Sequence, residues 1–219
     1  MSHIVLVRHG QANTGATTEA EYDRLSPLGQ QQSTWLGDHL RHKGDVFAHV
    51  WTGTLRRHIE TADEIGCETP RPVIRDPRLN EVEYFSMAQM LDEQHGIALP
   101  SSREGFVAHL PCLFRHWQEG RIEGTPESFE AFETRVRDVL DDISAQPGRS
   151  LVVTSGGFIG MALRLTLRLD MTAFSNMCLA IQNTSVSSWG SFGGHLALTQ
   201  FNALPHLDNP DRLFAQTHF

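Results

Sequence analysis

The sequence predicts a three-layer α/β/α sandwich, a mostly parallel sheet covered by helices on both faces with a helical cap inserted. Three observations carry this. Two apolar runs, Ile4-Val5-Leu6-Val7 and Leu151-Val152-Val153-Thr154, are continuous rather than alternating, the pattern of strands buried on both faces. Each run ends in a glycine-bearing turn, Arg8-His9-Gly10 and Ser155-Gly156-Gly157. Elsewhere strand patterns alternate with helix patterns, which is the order of a parallel sheet.

Taken in order, Ile4–Val7 is the first strand. Residues 11–25 are polar and rich in Gly, Thr and Asn, so they read as a loop over its end. Ser26-Pro27 opens a helix to about His42, with Ser as N-cap and Pro at the first helical position. Val46 to Trp51 is a second strand. A helix from about Thr54 to Ile65 follows, with Leu55, Ile59 and Ala62 on one face. Pro72 to Arg75 is a short strand. Residues 83–124 break the alternation; they are amphipathic, carry Pro100 and Pro111, and read as an inserted helical cap within a single domain spanning 1–219. Thr125-Pro126-Glu127 opens a helix to about Ala145, ended by Pro147-Gly148. The strand Leu151–Thr154 leads into a helix to about Leu169, and Thr184–Trp189 and His195–Phe201 are the last two strands.

Composition narrows the partners. The chain has 219 residues, a net charge of −8 and no basic run, which argues against nucleic acid or an anionic membrane. An anionic substrate then needs a locally positive site. Lys43 is the only lysine and lies at a polar helix end, a poor place for Schiff-base chemistry. Cys67, Cys112 and Cys178 show no metal-type spacing and fit a reducing compartment. No stretch has the length of a membrane span or the pattern of a signal peptide. A cytoplasmic protein is the expectation, of undefined oligomeric state.

The chemistry gathers where the first strand ends. Ligands of open α/β sheets bind beyond the carboxyl ends of the strands, and Arg8 and His9 stand there. A guanidinium offers phosphate a planar fork of donors, and an imidazole can serve as nucleophile or base. Read alone, the pair could equally do no more than close a strand.

Further pieces in the same order resemble the histidine phosphatase, or phosphoglycerate mutase-like, superfamily. Leu6-Val7-Arg8-His9-Gly10 resembles its nucleophile motif. Leu25-Ser26-Pro27-Leu28-Gly29, with Gln32 beyond, is similar to its next block. Leu55-Arg56-Arg57-His58-Ile59-Glu60-Thr61-Ala62 resembles its Leu-x-Arg-x-x-x-Thr-Ala block, and Leu79-Asn80-Glu81 its general-acid site. The resemblance implies that His9 is the nucleophile and Glu81 the acid, with Arg8 and Arg57 binding phosphate. In such a scheme His9 becomes a phosphohistidine and splits one hard step into two. Glu81 protonates the leaving alkoxide and then assists water. The arginines neutralise the phosphoryl charge, so neither metal nor other cofactor is called for.

One departure stands out. The family usually places a second histidine where this chain has Ser155. Ser155 can donate a hydrogen bond but carries no charge; Gly156, at a helix start, offers backbone N–H groups to an anion. His58 is a possible stand-in for the missing imidazole, or a packed, hydrogen-bonded histidine; Gln11 is a further possible ligand. His39 and His42, one helical turn apart, read as a solvated face rather than a metal site. Asn183-Thr184-Ser185 reads as a strand start. Arg103, Arg115 and Arg121, in the predicted cap, read as charged surface or as contacts for the far end of a substrate.

The resemblance implies hydrolysis of a small phosphorylated metabolite through a phosphohistidine. The alternatives are a weakly active or inactive phosphoester-binding protein, suggested by Ser155, and, ranked below both, a phosphoglycerate mutase.

Overall fold

The computed structural model describes residues 3–218; Met1, Ser2 and Phe219 lie outside the described residues. Six strands form one sheet: β1 (His3–Arg8), β2 (His49–Thr52), β3 (Ile74–Arg75), β4 (Arg149–Thr154), β5 (Val186–Phe192) and β6 (His195–Ala203). Their order is β3-β2-β4-β1-β5-β6. The first four run parallel, and β5 pairs antiparallel with both β1 and β6. The central strand β1 lies in register with β4, Val5 opposite Leu151 and Arg8 opposite Thr154.

Alternation along β1 divides the core in two, because successive side chains of a strand point to opposite faces. Val5 and Val7 join Leu151, Val153, Leu36, Leu40 and Ile65 on one side. The helices there are α2 (Pro27–Lys43) and α3 (Arg56–Ile65); a single turn of helix, α1 (Glu19–Tyr22), precedes them. Ile4 and Leu6 join Val152, Phe132, Val136, Phe158 and Met161 on the other side. The helices of that larger layer are α4 (Tyr84–His95), α5 (Arg103–Gln118), α6 (Phe129–Ser144), α7 (Gly156–Leu167) and α8 (Met171–Ala180). This is the three-layer arrangement expected. Among the described residues no helix is long and apolar enough to cross a membrane.

Several boundaries differ from the sequence reading, each for a local reason. Residues 11–25 contain α1, capped by the Thr18 side chain on the Glu21 N–H. Helix α6 starts at Phe129, because Ser128 and not Thr125 is its N-cap. Strand β2 begins at His49 rather than Val46, which is 76% exposed. Strand β5 begins at Val186, since Thr184 sits in the left-handed region at φ +56. Helix α8 has no counterpart in the sequence reading, although Asp170, which caps it, is a preferred N-cap residue. On α3 the most buried positions are Arg57, His58, Thr61 and Ile65 rather than the stripe Leu55, Ile59 and Ala62. The helix thus turns a largely polar face inward.

Two glycine contacts set how closely α2 approaches its neighbours. A Cβ on Gly29 would lie 2.1 Å from the Gln11 carbonyl oxygen, and one on Gly10 would lie 2.4 Å from that of Gly29. A Cβ on Gly37 would lie 2.1 Å from the Ile65 carbonyl oxygen at the end of α3. Backbone cannot yield there as a side-chain tip would. Gly37→Ala should therefore cost about 1–3 kcal/mol, the usual penalty of overpacking, measured as a lower urea midpoint. Gly15→Ala, with nothing within 4 Å of the added carbon, should leave that midpoint nearly unchanged.

Candidate active site

The carboxyl end of β1 delivers Arg8 and His9 into a cavity of about 270 Å³. Arg57 reaches it from the start of α3, and Glu81 from the segment after a 3-10 turn, Pro77–Leu79. Gly156 and Gly157 reach it from the start of α7. Arg8, His9, Arg57, Glu81 and Gly156, far apart in sequence, thus line one space.

His9 is buried, and its Nδ1 lies 2.7 Å from the Gly10 carbonyl oxygen. A carbonyl only accepts, so Nδ1 carries the hydrogen and Nε2 keeps its lone pair. Burial, then the charges of Arg57 and Arg8, hold the His9 pKa well below the usual imidazole value. The ring is therefore a neutral base with a free nitrogen.

Both arginines are anchored at one nitrogen. Arg8 Nη1 donates to the Ile181 carbonyl. Arg57 Nη1 donates to Asp23 Oδ1 at 3.0 Å, and its guanidinium lies 5.0 Å from the centre of the Tyr22 ring. The Nε–H groups of Arg8 and Arg57 are buried without a partner among the described residues. Such donors are expensive to leave unmatched, and both belong to arginines that line one cavity.

Asp23 does more than hold Arg57. Leu55, at the N-cap of α3, makes no side-chain cap bond; instead Asp23 accepts the N–H groups of Arg56 and Arg57 at 2.9 and 3.1 Å. A distant carboxylate thus caps the helix that presents Arg57, and it suits the positive helix end. Glu81 plays a related part at α7. Its Oε2 accepts the Gly157 N–H at 2.8 Å, and Oε1 accepts the Val82 N–H at 3.1 Å. A Cβ on Gly157 would lie 2.3 Å from Glu81 Oε1, so only glycine admits the carboxylate at this distance.

Ser155 is the N-cap residue of α7, but its side chain makes no cap bond. Its Oγ lies 2.5 Å from His58 Nε2 instead. His58 is fully buried, its ring centre 5.6 Å from that of His9. Burial, reinforced by Arg57, lowers its pKa well below the usual value. Ser155 and His58 are not among the cavity-lining residues; they stand behind His9 and Gly156. Gln11 does not line the cavity either: its Oε1 accepts from Ser26, the N-cap residue of α2. Of the three cap arginines, none lines the cavity, and Arg121 pairs with Glu119 at 3.0 Å. His39 and His42 lie on α2, away from it.

Sequence reasoning missed Asp23, Glu19 and Asn183. Asn183 Nδ2 donates to the His9 carbonyl at 3.2 Å. Glu19 lines the cavity and accepts the Phe85 N–H at 2.8 Å. No spacing rule links these residues to their partners, which lie more than thirty positions away in the sequence.

Comparison with known proteins agrees with this geometry. The model of the histidine phosphatase superfamily (branch 1) matches residues 4–204. The protein named "Probable phosphoglycerate mutase GpmB" in Proteus mirabilis is 27% identical over 199 residues, 85% of this chain and 84% of its own. Glucosyl-3-phosphoglycerate phosphatase of Mycolicibacterium vanbaalenii is 26% identical over 195 residues, 88% of this chain and 84% of its own. Among solved structures, a phosphoserine phosphatase from Entamoeba histolytica in complex with phosphoserine superposes with a TM-score of 0.69. It is 19% identical and covers 94% of this chain and 100% of its own.

The neutral buried imidazoles make stability depend on pH. His206, brought down to about 3 by burial, belongs with His9 and His58. Each binds fewer protons folded than unfolded, so its contribution is complete above 6.5 and is lost as pH falls from there toward the folded value. Each contributes up to about 1.4 kcal/mol per pH unit within its window. Urea midpoints should be level from neutral pH upward and fall steadily below pH 6.5; a level profile through mild acid would show that these rings are protonated in the fold.

Proposed function

The chain belongs to the histidine phosphatase superfamily, branch 1, and on that premise we propose that it hydrolyses phosphomonoesters through a phosphohistidine on His9. The observation that carries this reading is the pair of anchored guanidinium groups, planar forks of donors, in the lining of the cavity that also holds a neutral imidazole. A phosphate dianion is the ligand such donors match.

Arg8 and Arg57 hold the phosphoryl group against His9. The Nε2 lone pair attacks phosphorus, the P–N bond forms, and the P–O bond to the alcohol breaks. Glu81, protonated when the phosphate dianion is bound beside it, gives its proton to the departing alkoxide. Water then attacks phosphorus as Glu81 takes one of its protons; the P–N bond breaks and inorganic phosphate leaves. The arginines supply the charge neutralisation at both steps, so the scheme uses no metal. Residues 83–124 act as a cap whose side chains meet the alcohol, and the substrate is a small phosphorylated metabolite met in the cytoplasm.

In this reading His58 stands next to position 155, where the family usually places an imidazole, and acts from behind the lining through Ser155 and His9 rather than on the phosphate itself. Its Nε2 contact with Ser155 Oγ and its ring beside His9 support this role.

His9→Ala should lower turnover of an aryl phosphate by more than about 10³-fold, as removal of a nucleophile does, and abolish acid-labile phosphoryl labelling of the protein. Full turnover in this variant would exclude a phosphohistidine.

A double-mutant cycle tests this role. His58→Ala should reduce kcat by about 2- to 10-fold, the scale of a lost hydrogen bond between neutral groups. Ser155→His alone should also lose activity, since two imidazoles would compete for one space. The double variant should recover much of the loss. A silent His58→Ala with a large gain from Ser155→His would instead mark the natural protein as a phosphoester binder.

A further inference from the structure

Beyond the phosphate end, the cavity has a distinct chemical character. Its outer wall is made by Tyr84, Phe85, Leu99, Phe106, Leu110 and Phe114, all from the segment between β3 and α6. Edge-to-face contacts fix part of this wall, with Tyr84 and Phe106 ring centres 5.1 Å apart and Tyr84 and Phe85 5.5 Å apart. Among the described residues that line the cavity, Arg8 and Arg57 are the cations and Glu19 and Glu81 the anions. Both arginines flank His9, where the phosphate must sit. A carboxylate on the alcohol portion would find no further cation on the wall and would face Glu19, which the Phe85 N–H holds in place.

We propose that this site, if it acts on phosphomonoesters as inferred above, selects those of uncharged, apolar alcohols, an aryl-alkyl or short alkyl chain, over those of hydroxy acids and amino acids. The two arginines are already taken up by the phosphate when the ligand's body meets the wall. An apolar body loses nothing by desolvation against aromatic rings, whereas a carboxylate gives up its water for no partner. The cavity, about 270 Å³, lies just below the range of roughly 300–1,000 Å³ common for small-molecule sites, which suits a phosphate bearing one ring or a short chain.

The test compares kcat/KM of the full chain for 2-phenylethyl and hexyl phosphate with that for 3-phosphoglycerate and phosphoserine. All four leave from a primary carbon, so differences report the body and not the leaving group. The apolar esters should be favoured by about 30- to 100-fold, the scale of burying one ring or chain. Phe106→Arg should shift the ratio at least about tenfold toward 3-phosphoglycerate, as a buried opposite charge would; retained far-ultraviolet circular dichroism and inorganic phosphate binding control for folding. Preference for 3-phosphoglycerate or phosphoserine would overturn the apolar class and leave the phosphatase reading intact. Absence of turnover for all four would defeat the phosphatase reading. Calorimetric binding of 2-phenylethylphosphonate against 2-carboxyethylphosphonate then decides the class alone: tighter binding of the first upholds it, and tighter binding of the second overturns it.

Discussion

The backbone at the end of β1 is held from three directions. The His9 N–H donates to the Thr154 carbonyl at 2.9 Å, extending the pairing with β4. The His9 carbonyl accepts from Asn183 Nδ2, and the Arg8 carbonyl from the Thr184 N–H at 3.0 Å, both groups just ahead of β5. The Gly10 N–H donates to Thr61 Oγ1 on α3 at 3.0 Å. The sheet thus closes on His9, and α3 is tied to the same point that it supplies with Arg57. Thr184 takes up a left-handed conformation to make its bond, which a β-branched residue adopts only when its surroundings impose it. Asn183 is in turn fixed by Thr217, which also accepts from Gln32 of α2.

That fixity gives the chemistry its form. An imidazole kept neutral between two arginines can attack phosphorus without first losing a proton, and guanidinium groups already anchored need not be ordered when the ligand arrives. Glu81 is held by the start of α7. The anchored arginines and His9 stand at one end of the cavity and an apolar wall at the other, a division that in the proposed reading matches a constant reacting group and a variable alcohol.

What the sequence revealed follows the reach of local rules. Arg8, His9, Arg57 and Glu81 stand at the ends of elements whose strand or helix patterns are strong, so their convergence could be read before any fold was seen. Asp23, Glu19 and Asn183 were hidden because each acts on a residue more than thirty positions away, and no periodicity records such a pairing. The inward face of α3 misled for a related reason: apolar spacing marks burial against a core, whereas Arg57, His58 and Thr61 are buried against a polar site. Gln11 lies two residues from His9 in sequence, yet its side chain serves the cap of α2.

The contact between Gly10 and Gly29 bears on how mutational data for such a chain are interpreted. A saturation screen scored on growth or turnover would rank these two glycines with His9, because any side chain on either pushes α2 and the strand end apart. Neither has an atom that a substrate could use. A parallel score for the amount of folded protein would move Gly10 and Gly29 into one column and leave His9 in the other. The boundary between those columns, and not rank alone, would outline the reacting centre.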